Sequence, residues 1–572
     1  MLLSGAAVLA ILAVLAVYRR WWRGGGANDE PWPHSEVTVT PFTTYKGQEV
    51  SPAFSPDGNQ IVFAWDGGNS DSANRFDLYV KVIGSESLLR LTSKPAAWLV
   101  PAWSPDGRTI AFLRNADSDS GIFTVPAIGG PERKLVDGPT YYFSPELTLN
   151  WSPEGKEIGY AARDESNPYF SPVIRILSVE TGNVRQIRTP ECQYALSPIF
   201  SPDGKWLAFN CAFTSAAFGV FVMPRSGGSA RQVTGELGHA LPLAWSHDSE
   251  RIIFSKQYTA DLWEVDRQGG KARALLFARD AVQPAVARQG NRLAYAFGHN
   301  NVNLWKMDLQ GKAPPQLLIS STRAQELPDI SPDGTRITFE SNRSGWREIW
   351  VSDFDGSNAV QLSDFHTLTG TPRWSPDGKT IVFDSRESGL PALYLVDSNG
   401  GLPHKIPVNL RDASIPSWSR DGRWIYFTSN APADRGLYKV PSTGGTAVLV
   451  SHTVGHNAQE ARDGSLYFSS GGKIHVIPKA GGKETSLSNL PRLMSPPDWA
   501  VAPNGIYLLD HNTTPAKLTF FNFQDGKIRV LAVLPKEPYG WGGIAITPDQ
   551  RYLVYTQIDE KVSDIMLAEN YR

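Results

Sequence analysis

Beyond the first twenty residues the apolar positions come in short runs, rich in Val, Ile, Phe, Tyr and Trp and closed off by Gly, Pro, Asp, Asn and Ser. Thr371 to Val396 shows the pattern at its clearest. A run ending in Trp374 meets Ser375-Pro376-Asp377-Gly378, a second run follows at Ile381-Val382-Phe383, and after a polar loop comes Leu393-Tyr394-Leu395. Pro at the second turn position fixes φ, Asp hydrogen-bonds the backbone two residues on, and Gly takes the φ > 0 position. Two β-rich runs joined by such a turn predict a hairpin. No long apolar stretch of helical period follows, so the pattern predicts an all-β chain.

The turn recurs at Ser55-Pro56-Asp57-Gly58, Ser104-Pro105-Asp106-Gly107, Ser201-Pro202-Asp203-Gly204 and Ser331-Pro332-Asp333-Gly334. Weaker copies stand at Ser152-Pro153-Glu154-Gly155, Ser246-His247-Asp248-Ser249, Ser419-Arg420-Asp421-Gly422 and Thr547-Pro548-Asp549-Gln550. Degenerate ones fall near Gln289-Gly290, Asp463-Gly464 and Asn504-Gly505. The twelve units lie 41 to 49 residues apart, the spacing of four-stranded propeller blades. Propellers typically close with about four to eight blades, so two tandem six-bladed rings are expected, over residues 37–313 and 314–572. A seven-plus-five split is the alternative and makes a small, strained second ring. Val37 to Thr44 reads as a stray fourth strand that closes the first ring, with Val39 to Thr44 beside Asn303 to Met307. Gln316 to Ser321 reads as its counterpart for the second ring. Pairing of Val39 to Thr44 with Asp564 to Ala568 instead would undo the boundary near Ala313.

The repeat, apolar-Ser-Pro-Asp-Gly followed by Ile/Leu, Ala/Val, Phe, an Arg-containing loop and Leu/Ile-Tyr-Val, resembles TolB-type, WD-like propeller repeats over about residues 37 to 568. The resemblance implies a propeller of the kind found in bacterial envelope proteins and beside the catalytic domain of prolyl-oligopeptidase-type peptidases. One apolar segment ahead of a long repeat array is also similar to bacterial membrane-anchored transcriptional regulators. Those carry a winged-helix domain, or in related proteins a kinase, ahead of the membrane segment, and this chain has neither.

That segment is Met1 to Tyr18, uncharged and followed by Arg19, Arg20, Trp21, Trp22 and Arg23. At 1.5 Å per residue it spans about 27 Å, near the thickness of a hydrocarbon core. Residues 1–23 are therefore expected to form a single transmembrane anchor and 24–36 a flexible linker. A secretory signal is the alternative, against which stand the missing basic n-region and cleavage site. The arginines behind the segment favour a cytoplasmic propeller by the positive-inside rule, whereas the family resemblance favours the periplasmic side, which is the expectation kept here. Net charge is −2 with scattered basic residues, so no nucleic-acid footprint exists. The two cysteines, Cys192 and Cys211, lie on one face of a single unit and form a candidate disulfide.

Candidate chemistry is sparse. There is no Gly-x-Ser-x-Gly nucleophile elbow, and the turn differs from a sialidase Asp-box in its spacing. The repeated turn aspartates sit in separate blades and cannot converge on one ion. His452, His456 and Glu460 are the best metal candidates, but Gly455 and Asn457 argue for a polar loop; neither metal nor cofactor is expected. Trp103, Trp151, Trp245, Trp374 and Trp418 repeat at one blade position and read as core. Seven to nine residues before each turn Asp lies the loop into the innermost strand, at the mouth of the channel. There sit Glu49, Trp98, Glu146, His239, Asp280, Glu326, Asp412, His456 and Trp541. Arg114, Arg163, Arg343 and Arg386 lie in loops on the same side. They read either as a ligand-recognising mouth or, preferably, as carboxylate–arginine ties between blades. The expected function is a non-catalytic, membrane-anchored binding or sensor module for a protein, peptide or glycan. A channel-mouth hydrolase or lyase and a structural envelope scaffold are the alternatives. Clustered titratable groups with shifted pKa values would mark catalysis, and exposed aromatics a binding face.

Overall fold

The computed structural model describes residues 37–571 apart from 69–74, 95, 117–118, 138–147, 165–171, 188, 190–191, 193, 213–217, 236–239, 257–260 and 432. The anchor and linker expected over 1–36 lie outside the described residues; among the described residues no helix is long and apolar enough to cross a membrane. The fold is all-β and propeller-type. Ten four-stranded antiparallel sheets and one six-stranded sheet hold the described strands.

The turn chemistry explains why each unit folds as it does. Ser331 Oγ donates to Asp333 Oδ1 at 2.6 Å, and that oxygen accepts the Thr335 N–H at 3.0 Å. Ser331 Oγ in turn accepts the Arg336 N–H at 2.9 Å. Gly334 has φ +75°, and its Cα faces the ring of Pro548 in the neighbouring sheet. The same fit sets Gly378 against Pro332 and Gly422 against Pro376, so successive turns nest. The repeated tryptophans do more than fill core. Their indole N–H groups donate to the inner strand of the preceding sheet: Trp103 to the Ala53 carbonyl and Trp151 to that of Ala102 at 3.1 Å, Trp374 to that of Asp329 at 3.2 Å.

The inner strands meet in two closed cycles. In the first, Glu49–Phe54, Trp98–Trp103, Leu149–Trp151, Tyr194–Phe200, Ala240–Trp245 and Ala281–Val286 touch in turn, and the last returns to the first. In the second, Gln325–Ile330, Thr369–Trp374, Ser414–Trp418, His456–Glu460, Trp499–Ala502 and Ile544–Ile546 do the same. The core lies between successive sheets, as where Val62, Phe76 and Val80 pack against Trp103, Ile110 and Phe112.

The two cycles share one sheet. Arg292–Asp308 and Tyr552–Glu569 pair antiparallel from Arg292↔Glu569 to Asp308↔Tyr552. The first half of the earlier strand also pairs with Ala281–Val286, and its second half with Gln316–Ile319. The later strand pairs at its start with Ile544–Ile546 and at its end with Thr38–Pro41. Each long strand is thus second in one cycle and third in the other.

This corrects the sequence-based expectation for the first ring. Val39 pairs with Ala568 and Thr40 with Leu567, not with Asn303 to Met307. The boundary near Ala313 therefore does not separate two sheets, since residues on either side of it exchange third strands. The physical reason lies where a hairpin loop should stand. Gln557 to Val562 holds neither Gly nor Pro, unlike the loops with Gly67-Gly68, Gly345 and Gly389, so the strand runs on. Gly298, opposite Ser563, serves close approach: a Cβ there would meet the Val562 carbonyl oxygen at 2.1 Å. The pairing of Gln316–Ile319 beside Leu304 to Lys306 closes the second cycle.

Candidate functional site

The described mouth residues stand at or just before inner strands, and in six inner strands a backbone device follows the mouth position. Ser51, Ser197, Gln283, Leu327, Thr371 and Ile415 have φ between 52° and 56° and each precedes a proline. Register slips at these points, as between Val50 and Ala53 or between Glu326 and Asp329. A left-handed residue without glycine costs about 1–3 kcal/mol and persists only where its surroundings fix it; here the bulge offsets the strand below the mouth. The residues after these prolines line the channel. Those bulges were not read from the sequence, although the signal was present: a proline four residues ahead of the turn proline, as in Pro52/Pro56 and Pro328/Pro332.

Seven of the nine expected mouth residues are described; Glu146 and His239 lie outside the described residues. Glu49 is buried beside the shared sheet, where burial pushes its carboxyl up to about 8, with Asp564 adding to the rise and Thr43 opposing it. Trp98 stacks on Phe76 with centroids 5.8 Å apart. Asp280 takes a bidentate grip from Arg323, one arm at 3.0 Å. Glu326 accepts from Arg347 at 2.8 Å, and the same guanidinium binds Glu340. Asp412 is buried and accepts the Asn430 N–H at 3.0 Å; burial raises it to about 6. Burial lowers His456 to about 4, helped by the Arg435 charge, and its Nδ1 lies 3.5 Å from Thr428 Oγ1. Trp541 is 56% exposed.

The arginines split. Arg114 is buried over the Phe123 ring and pairs with Glu132 at 2.8 Å, inside its own sheet. Arg343 binds Gln325 and stacks on Trp350. Arg386 binds Asp384 at 2.5 Å and also acts on Asp412 of the next sheet. Arg347, not singled out from the sequence, gathers Glu326 and Glu340 about it. Its charge is held well above the usual range: burial opposes it, but Glu326 and Glu340 outweigh burial. Burial raises Glu340 despite Arg347, and Glu326 heads the causes that raise Tyr539. Glu326 and Glu340 side chains are only 3% and 4% exposed.

Asp498 was missed because it stands six residues before Asn504, one short of the window that locates the others. It is fully buried, with His511 Nε2 3.2 Å from its Oδ2. Burial raises Asp498 to about 6. The His452–His456–Glu460 group does not assemble: Glu460 accepts from Tyr426 Oη at 2.6 Å and from the Arg420 N–H at 2.8 Å. Among the described residues no group of three or more His, Cys, Asp or Glu could hold a metal.

The two mouth sides meet. Asp280 belongs to the first cycle and Arg323 leads into the second, and Arg435 of the second donates to Tyr194 of the first at 3.5 Å. Cys192 and Cys211 form a disulfide close by, with Cα atoms 5.3 Å apart.

Comparison with known proteins gives the same frame. The TolB beta propeller domain matches residues 37–165, 142–363 and 304–530. The uncharacterized peptidase YuxL of Bacillus subtilis is 27% identical over 29% of this chain and 30% of its own length. Dipeptidyl-peptidase 5 of Porphyromonas gingivalis is 28% identical over 39% of this chain and 33% of its own. The Tol-Pal system protein TolB of Francisella tularensis subsp. mediasiatica is 28% identical over 30% of this chain and 37% of its own. The matched parts thus span about a third of each relative. Repeat spacing, turn chemistry and matches along most of its length agree: the chain belongs to the TolB β-propeller domain family.

Proposed function

We propose that the chain is a non-catalytic binding module, two six-bladed propellers joined mouth to mouth, that docks a protein or peptide partner outside the cytoplasm. The observation that carries this reading is the state of the mouth side chains. Glu326 and Glu340 are capped by Arg347 and nearly sealed from solvent, and Asp280 is held by Arg323. A general acid or base must reach a substrate proton; Glu326 and Glu340 are buried, and Asp280 is engaged by the Arg323 fork. Trp541 stands exposed at the same level, and exposed tryptophan is a frequent anchor of protein interfaces. The Cys192–Cys211 disulfide supports an oxidising compartment, and the protein partner accords with a relative named for the Tol-Pal system.

A hydrolase or lyase is the second reading. The raised carboxyls of Glu340, Asp412 and Asp498 in the second cycle favour it, since shifted groups gather at active sites. Two relatives are also named as peptidases.

Selection of a displayed random-peptide library on the full chain separates the two. The binding reading expects enriched peptides that stay intact on incubation and lose binding with Trp541→Ala. Cleavage of the selected peptides overturns it. Alkaline phosphatase fused after Arg572 is expected to be active in cells; activity of β-galactosidase there instead removes the extracytoplasmic assignment.

A further inference from the structure

The opposite, turn-side end of the first cycle holds a feature that the mouth does not use. The six inner strands enclose a cavity of about 200 Å³. Ala, Pro, Val and Leu side chains and the turn tryptophans line it together with Ser51, Ser55, Thr148, Asn150 and Gln283, so its surface is mixed, slightly more polar than apolar. Turn prolines Pro56, Pro105 and Pro202 form its rim. In the sixth sheet the turn reads Ala287-Arg288-Gln289-Gly290, so Arg288 occupies the proline position.

Among the described residues Arg288 is the one charged side chain lining the cavity. It is solvent-exposed at the cavity's rim, and its guanidinium has no carboxylate partner among the described residues; partial burial lowers its pKa, and no neighbouring acid acts on it. The acids nearest in repeat position are committed elsewhere. Asp57, Asp106 and Asp203 each accept from the serine of their own turn, and Glu154 is held by Arg225. Deeper in the cavity, Asn150 gives its carbonyl oxygen to the Phe200 N–H at 2.8 Å, which leaves its –NH2 as a donor. The Gln283 side-chain carbonyl accepts the Ser51 N–H at 2.7 Å.

We propose that the turn-side end of this channel binds the carboxylate of a short, narrow ligand, with Arg288 as its counter-ion. Arginine presents a planar fork that matches a carboxylate with two parallel hydrogen bonds. The cavity is smaller than the roughly 300 Å³ of the smallest drug-sized sites, so only a few heavy atoms enter behind the carboxylate, and the mixed wall accepts a short body of methyl and amide groups. Both the C-terminal end of an extended peptide and a free short-chain monocarboxylate have this chemistry. The site is independent of the mouth and stands or falls apart from the docking reading.

Ligand-observed NMR on the full chain tests it, with N-acetyl-Ala-Ala, its C-terminal amide and butyrate as probes. Two variants accompany the wild type: Arg288→Gln, and Arg288→Pro, which restores the residue found at Pro56, Pro105, Pro153 and Pro202; thermal melting verifies that both fold. Saturable binding of at least one carboxylate is expected, with the amide weaker by about tenfold or more, the scale of a lost charge-assisted hydrogen bond. Both variants should show the same loss. Binding of butyrate as well as the peptide acid assigns the site to small carboxylates, and binding of the peptide acid alone assigns it to chain termini. Equal binding of acid and amide, equal binding by wild type and Arg288→Gln, or no saturable binding of either carboxylate overturns the proposal.

Discussion

The centres of the two cycles are built on one frame and filled in opposite ways. At the repeat position two residues before the turn serine, the first cycle carries Ala53, Ala102, Asn150, Ile199, Ala244 and Ala285, and a cavity remains. The second carries Asp329, Arg373, Ser417, Gln459, Ala500 and Ala545. There Arg373, on the second sheet of its cycle, reaches across to Asn457 on the fourth at 3.2 Å, and its charge answers that of Asp329. Burial raises Asp329, whose Oδ2 accepts the Trp374 N–H at 2.8 Å. Asn150 makes the same bond to Phe200 without a charge. The tie between neighbouring inner strands is therefore part of the frame, while the charge at that position decides whether the centre is open or bridged. Frame stability and site chemistry sit on different residues of one repeat.

The sharpest way to break this contrast is Arg347→Met, which leaves Glu326 and Glu340 buried without their cation. Loss of about 3–5 kcal/mol is expected, read by denaturant unfolding, and Glu326→Gln with Glu340→Gln added should return part of it. Next is Glu49→Gln in the first cycle. A carboxyl raised in the folded state leaves stability intact below its unfolded value of 4.5 and costs progressively more as pH climbs to about 8. The substitution should therefore stabilise by about 2–4 kcal/mol at pH 8 and by little at pH 5; melting curves at the two pH values show it. Gly298→Ala places a Cβ against the Val562 carbonyl, and a loss of about 1–3 kcal/mol is expected. Because the shared sheet belongs to both cycles, a single scanning-calorimetry transition should shift as a whole. The smallest effect is expected from Asp377→Ala, about 1 kcal/mol for the lost turn hydrogen bonds, in chemical denaturation.

These differences show what the chain's local pattern can and cannot convey. The turns, the strands and the unit spacing were legible because each depends on residues close in sequence: Ser375, Asp377 and Gly378 specify one turn by themselves. The exchanged third strands depend on a pairing such as Arg292 with Glu569, which no local pattern encodes; only the missing Gly or Pro between Gln557 and Val562 hinted at it. For the candidate residues the entry to the inner strand was legible and the partner was not. Arg343 and Arg347 share one loop, and packing alone gives Glu326 to the second. Asp498 escaped because its degenerate turn, Ala502-Pro503-Asn504-Gly505, shortens the approach by a residue.

The shared sheet is the centre of this account, and one cut tests it. Gly311 and Lys312 lie in an exposed turn between the first long strand and Gln316–Ile319, so a protease site inserted after Lys312 severs the chain where two separate rings would part. Each product holds the third strand of the other's cycle. After complete cleavage, the two fragments should coelute on native size-exclusion chromatography and separate only in denaturant. Elution as two compact, independently folded pieces without denaturant would contradict it.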